Sequence, residues 1–162
     1  MRDSERRRLG KLKRAERAAA AASGSADSAV AWCDGGSRGN PGPAACAYVI
    51  EDAAGAELAR GVHALGVATA AAAEYRAVEA ALERAIELRL EVLEIRSDSR
   101  LLIAHLTGET VPRNGALAEL GATTRELAGR VGRVRYTWVP RDRNVVADSL
   151  LAATLGFAPP SG

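Results

Sequence analysis

Four carboxylates in this 162-residue sequence fall where backbone elements would turn their side chains toward one shared edge. Asp34 follows the apolar run VAWC at the end of a first strand, and Glu74 lies in the opening turns of the first helix after the strands. Asp98 ends a later apolar run just before another helix. Asp148 lies on the last helix, four residues after Asn144 and so on the same face. Each alone has a plainer use. Asp98 suits a helix cap and Glu74 a solvated helix edge, whereas Asp148, set between Ala147 and Leu150, is a carboxylate inside an apolar face and needs a partner. Together they suggest a site, because acids at the carboxyl ends of strands in a parallel sheet point into the crevice where ligands bind. Four carboxylates crowded there repel, and without a counter-ion one or more must take up a proton.

Bringing them together requires a particular order of elements. VAWCDGG (30–36) reads as a strand running into glycines, and SRGNPGP (37–43) as a turn. AACAYVIED (44–52) and AELARGVHAL (56–65) read as two further strands about the Ala53–Gly55 turn, which makes the first three strands an antiparallel meander. The period then changes: Tyr75, Val78, Leu82 and Ile86 form a helical stripe within residues 70–88. Residues 91–99 hold a buried strand, 99–107 and 115–130 two helices, 133–139 a strand and 144–156 a closing helix. Strand and helix alternate in the second half, so the order β-β-β-α-β-α-α-β-α predicts an α/β fold, a mixed five-stranded sheet with helices on its faces. Trp32 and Trp138 fall in strands flanking the acids and are expected to point inward as core rather than to stack on bases.

Composition narrows the functional classes. Apolar residues make up 48% and charged residues 26%, as in a soluble globular protein. No run approaches the roughly 20 apolar residues of a membrane span, and the charged N-terminus lacks the apolar core of a secretion signal. A cytoplasmic protein with no membrane partner is therefore expected. Cys33 and Cys46 show no CxxC spacing and are expected to be buried, reduced thiols. The net charge of +2 hides an asymmetry: residues 1–17 carry a net +5 and the remainder a net −3. Residues 1–24 accordingly read as a basic helix or tail, 25–28 as a linker, 29–157 as the domain and 158–162 as a C-terminal tail.

The segments DGGSRGNPGPAA (34–45), AEY (73–75), SDS (97–99) and NVVADSLLA (144–152), with WVPRDRN (138–144) ahead of the last, resemble in their order and spacing the motifs of type 1 ribonuclease H. The resemblance covers about residues 29–156. It implies a ribonuclease H-like sheet in the order 3-2-1-4-5 with its first three strands antiparallel. It also implies an endonuclease that hydrolyses the RNA strand of an RNA–DNA hybrid with two divalent ions, Mg²⁺ or Mn²⁺, leaving 5′-phosphate and 3′-hydroxyl ends. Asp34 would bridge both ions, Glu74 and Asp98 would complete one side, and Asp148 would hold the other. By the same resemblance the glycine-rich turn, Gly35, Gly36 and Ser37 with Asn40, would meet the RNA backbone and its 2′-hydroxyls, which an A-like helix offers in a wide, shallow minor groove. Thr69 and Asn144 would stand among the substrate contacts, and Arg141 and Arg143 would reach phosphates. A monomer is expected.

Two departures bear on the grip on substrate. Many members carry Thr-Asn-Asn ahead of the helix glutamate; here Thr69 is followed by Ala70 and Ala71, which have no side-chain donor or acceptor. Some members carry a histidine in the loop before the last acid. The short PRDRN loop (140–144) has none, which is similar to a branch of the family lacking it, and His63 and His105 are expected to be packing or surface residues. Two other readings stay beside the hydrolase: a nucleic-acid-binding module of this fold with little activity, and a related nuclease for another substrate such as double-stranded RNA. The basic tail would contact nucleic acid in any of the three. If it supplies electrostatic attraction, deleting residues 1–24 should leave the melting temperature unchanged while weakening hybrid binding and flattening its salt dependence. Anisotropy of a labelled hybrid across a salt series checks this, and an unchanged affinity and slope would assign the tail to another partner.

Overall fold

The computed structural model describes residues 3–20 and 28–156. Five strands, β1 (Ser28–Ser37), β2 (Gly42–Asp52), β3 (Glu57–Ala68), β4 (Val92–Ser97) and β5 (Arg133–Trp138), form one sheet in the order β3-β2-β1-β4-β5. β1 pairs antiparallel with β2, from Ala29 opposite Asp52 to Ser37 opposite Ala44, and β2 pairs antiparallel with β3. The β1–β4 and β4–β5 pairs are parallel. Order and directions are those the sequence predicts. The helices are α1 (Asp3–Ala20), α2 (Ala70–Glu87), α3 (Arg100–Leu106), α4 (Gly115–Val131) and α5 (Val145–Leu155), with a single 3₁₀ turn at Arg141–Arg143.

The two faces of the sheet are packed unequally. On one, Ala31 and Cys33 of β1, Tyr48 and Ile50 of β2 and Leu93 and Ile95 of β4 join Val78 and Leu82 of α2, Leu106 of α3 and Leu127 of α4 in the main core. On the other, Ala45 and Ala47 of β2 meet Leu151 and Leu155 of α5 in a much smaller cluster. α2 lies closest to the sheet because Ala73, Ala77, Ala81 and Ala85, four residues apart and each fully buried, form a smooth stripe along it. Thr69 caps this helix, its hydroxyl oxygen accepting from the Ala72 N–H at 3.0 Å.

The structure departs from the sequence reading in particular places. The turn expected over 37–43 contracts to residues 38–41, because Gly35 and Gly36 stay in the ladder opposite Cys46 and Ala45 instead of breaking it. β3 continues past Leu65 to Ala68, since Gly42 and Pro43 extend β2 against Ala68 and Val67. Neither tryptophan is core. Trp32 is half-buried on the face opposite the main core, with its ring under the Arg96 guanidinium at 4.7 Å and its indole N–H donating to Glu51. Trp138 is likewise half-buried, beneath Arg100 at 3.8 Å. The inward face of β1 belongs to Ala29, Ala31 and Cys33, and α5 is too short to cover the rest of the other face. Both cysteines are buried and unpaired. The linker, apart from Ser28, and the tail 158–162 lie outside the described residues.

Gly35 is where α2 and β1 come closest. A Cβ there would sit 2.3 Å from the carbonyl carbon and oxygen of Ala73, which are backbone and cannot swing aside. Gly35→Ala should therefore destabilise the fold by about 1–3 kcal/mol or more, the ordinary cost of overpacking. Gly129→Ala in α4, where a Cβ meets nothing within 4 Å, should stabilise it by up to about 1 kcal/mol. Urea unfolding of the two variants checks the contrast.

Candidate active site

Asp34 stands three residues short of the end of β1, not at its end. The ladder between β1 and β4 runs from Ser28 opposite Val92 only to Trp32 opposite Arg96, while β1 stays paired with β2 as far as Ser37. Asp34 thus lies where β4 has peeled away from β1. Continuing the parallel register by two residues brings it abreast of Asp98. The gap opens into a cleft of about 440 Å³ whose walls include Asp34, Glu74, Asp98 and Asp148.

Each of the other three acids is held by a different device. Asp98 follows β4 directly but is not the cap of α3. Ser99 is the cap, accepting from the Leu102 N–H at 3.2 Å, and the Ser97 hydroxyl accepts from the Ser99 N–H at 3.1 Å. The Asp98 carboxylate is left to the cleft, and its backbone carbonyl accepts from the Trp138 indole N–H at 3.1 Å. Glu74 projects from the second turn of α2 into the cleft beside Ser99, whose hydroxyl favours its charged form. The N-terminus of α2 is fastened to the β1–β2 loop as well, where Asn40 accepts from the Ala70 N–H at 3.1 Å. Asp148 lies in the opening turn of α5, with Arg141 at 3.6 Å across the cleft mouth.

Of the residues read from sequence as substrate contacts, Gly35, Gly36, Ser37 and Arg141 line the cleft with the acids. Asn40 and Thr69 stand outside it at the exposed N-terminus of α2, both already bonded to that helix, and Arg143 is exposed on the 3₁₀ turn. Asn144 requires a correction. It is 1% exposed, and its side-chain amide donates to the Cys33 carbonyl at 2.8 Å, so it has no surface to offer a substrate. Sequence reasoning misses Ser99, although it sits inside the SDS segment, and misses Leu151, Ala152 and Leu155. Those three follow Asp148 at helical spacing and complete the wall.

The electrostatics follow from the crowding. Burial pushes the Asp34 carboxyl up to about 8; the charge of Asp98, a hydrogen bond with Asp148, and the charges of Asp148 and Glu74 push the same way. Burial likewise raises Glu74 to about 7, with the Ser99 hydroxyl opposing the shift and the charge of Asp98 adding to it. Among the described residues lining the cleft, Arg141 is the only cation against four carboxylates. This donor set of hard oxygens fits Mg²⁺ or Mn²⁺, which take carboxylates and keep coordination positions for water and phosphate. No group of three or more His, Cys, Asp or Glu side chains among the described residues forms a ready-made metal cage.

Comparison with known proteins gives a consistent set of relatives. Residues 32–154 match the reverse transcriptase-like family. Ribonuclease HI of Halobacterium salinarum is 40% identical over 128 residues, covering 79% of this chain and 64% of that protein. The bifunctional protein Rv2228c of Mycobacterium tuberculosis is 39% identical over 122 residues, covering 75% of this chain but 34% of the relative. The chain thus spans about a third of the mycobacterial protein and under two thirds of the halobacterial one. In three dimensions it is similar to the halobacterial RNase H1 (TM-score 0.77, 38% identity, 80% of this chain and 98% of that one). It is equally similar to the N-terminal RNase H domain of Rv2228c (TM-score 0.77, 36% identity, 80% and 94%). LC11-RNase H1, solved in complex with an RNA/DNA hybrid, superposes with a TM-score of 0.73 at 30% identity over 77% of this chain and 94% of that one.

The raised acids make stability depend on pH. In the unfolded chain both carboxyls return to about 4, so the folded protein binds their protons more tightly. The stability they contribute is full below about pH 4 and is lost as pH rises through about 7 for Glu74 and about 8 for Asp34. In chelator, the melting temperature should fall by several degrees between pH 5 and 9, and Asp34→Asn should flatten that fall. Thermal melts of both proteins across a pH series check it.

Proposed function

This chain belongs to the type 1 ribonuclease H family, and we propose that it is a metal-dependent endonuclease that hydrolyses the RNA strand of RNA–DNA hybrids, leaving 5′-phosphate and 3′-hydroxyl ends. The observation that carries the reading is the convergence of four carboxylates, from β1, α2, the end of β4 and α5, on one cleft with a single facing guanidinium. Such a cleft repels a polyanionic backbone unless cations stand between them. Two Mg²⁺ or Mn²⁺ ions, when bound, supply the activation of the attacking water and the stabilisation of the leaving 3′-oxygen. In this reading Asp34, Glu74, Asp98 and Asp148 would hold the ions, Asp34 shared between the two, Glu74 and Asp98 on one side and Asp148 on the other. Gly35 and Gly36 approach the RNA backbone as main chain without bulk, Ser37 adds its backbone beside them, and Arg141 and Arg143 meet phosphates. Thr69 and Asn40 keep donors for the hybrid, since a hydroxyl oxygen or amide oxygen engaged as acceptor leaves the O–H or N–H₂ free. A monomer working in the cytoplasm, with the basic N-terminal segment along nucleic acid, completes the proposal.

Incubation with labelled RNA–DNA hybrid, double-stranded RNA and single-stranded RNA, with and without each ion, tests it. Ion-dependent cleavage of the hybrid alone is expected. Cleavage of double-stranded RNA instead would shift the substrate, and tight binding without cleavage would favour a binding module. Asp98→Asn should lower turnover by at least about 100-fold and leave the melting temperature in chelator equal or higher, because one like charge leaves the cluster. Retained turnover in that variant would remove Asp98 from the site.

A further inference from the structure

Asn144 occupies the position that begins α5, where an asparagine side chain ordinarily accepts an N–H of the helix's own first turn. Thr69, Ser99 and Asn114 do this for α2, α3 and α4. Asn144 makes no such bond. Its amide instead donates at 2.8 Å to the Cys33 carbonyl, 111 residues away, in the peptide that joins Cys33 to Asp34. Its own carbonyl accepts the N–H of Asp148 at 3.1 Å, and its N–H donates to the Arg141 carbonyl at 3.0 Å. One residue is therefore bonded to the peptide of the first carboxylate and to the peptide of the last.

The arrangement is not the most stable local one. A cap has been given up, and the Asn144 Oδ1 is buried with no hydrogen-bond partner, a state that costs free energy. The tie has a use that offsets this. α5 rests on the sheet through the small cluster of Ala45, Ala47, Leu151 and Leu155, and apolar contact is non-directional. Apolar contact alone would leave the direction of Asp148 loosely set, whereas a hydrogen bond to the β1 backbone fixes both distance and direction.

We propose that Asn144 is a positioning residue, a buried amide tie that sets Asp148 against Asp34 so that the two can share an ion, without itself touching substrate. The inference rests on the reading of the four carboxylates as an ion-binding site.

Two variants test it, each compared with wild type by calorimetric titration of Mn²⁺ and by separate measurement of kcat and KM on labelled hybrid. Asn144→Ala removes the tie. Asn144→Leu keeps most of the volume but offers no donor to the Cys33 carbonyl, which gives a shape-conserving second variant should the alanine variant fail to fold. Both should weaken Mn²⁺ binding and lower kcat by on the order of 10–100-fold, the usual cost of losing a group that orients a metal ligand, with KM unchanged within about twofold. Val131→Ala, in the main core at the far end of α4, serves as the stability control and should lower the melting temperature with Mn²⁺ affinity and kcat kept. A raised KM with Mn²⁺ affinity and kcat intact would make Asn144 a substrate contact and overturn the inference. So would a lowered melting temperature with Mn²⁺ affinity and kcat unchanged, as in the Val131 control. If wild type itself binds no Mn²⁺, the carboxylate reading fails and this inference falls with it. If wild type binds Mn²⁺ and the Asn144 variants bind it equally well, only this inference falls.

Discussion

Asp34 is held 8% exposed with Asp98, Asp148 and Glu74 around it, and each of these neighbours makes it harder to ionise. Crowding four acids costs free energy, so the elements carrying them must be anchored by packing elsewhere in the fold. For Asp34, Glu74 and Asp98 that anchor is the main core. β1 and β4 are inner strands of the sheet, and α2 lies against β1 along an alanine stripe, at a closeness only Gly35 allows. Asp148 has no comparable support. Its helix packs on the opposite face through a handful of alanines and leucines. The asymmetry of the two faces is thus an asymmetry in how firmly the acids are held, and the directional bonds of Asn144 occur on the weaker side.

The same division separates what can be read in the sequence from what cannot. Hydrophobic period, glycine punctuation and the positions of the acids are local signals, and they lead to the sheet order and to the four carboxylates. The misplacements involve bonds between distant residues. Asn144 lies next to the last acid and within a recognised motif, but nothing local says that its amide reaches Cys33. Ser99 and Asp98 are adjacent residues of types that both cap helices, and what sets them apart includes, besides the local bond of Ser99 to Ser97, the Trp138 indole that reaches the Asp98 carbonyl from 40 residues away. Alternation correctly puts Trp32 on the opposite face of β1 from Ala31 and Cys33, but which face is covered depends on where the last helix lands.

Positive and negative charge are separated along the chain. Arg6, Arg7, Arg8 and Lys11 on α1 are all exposed, whereas the cleft is lined by four carboxylates and Arg141. At physiological salt the screening length is about 8 Å, so cations that do not line the cleft do little to offset negative charge inside it. Attraction to a polyanion and neutralisation at the point of chemistry are therefore different requirements. The first can be met by a basic segment anywhere along the nucleic acid. The second needs positive charge within bonding distance of the acids, and Arg141, 3.6 Å from Asp148 alone, reaches only one of the four.

The N-terminus of α2 shows how the substitution of alanine at positions 70 and 71 changes the surface a hybrid would meet. With no side-chain amide on the helix itself, the nearest one belongs to Asn40 on the facing loop, and its carbonyl is already engaged by the Ala70 N–H. What remains of that group for a ligand is its N–H₂, a donor without an accompanying acceptor. A base edge or a 2′-hydroxyl can satisfy a donor alone, but an amide offering both would fix orientation as well as contact. For the proposed hydrolase the cost would fall on binding rather than on the chemical step, because the carboxylates around Asp34 are carried by β1, β4, α2 and α5 and none of the bonds that position them passes through the side chain of Ala70 or Ala71. At positions 70 and 71, at least, a change in grip on the hybrid would leave the geometry at the acids as it is.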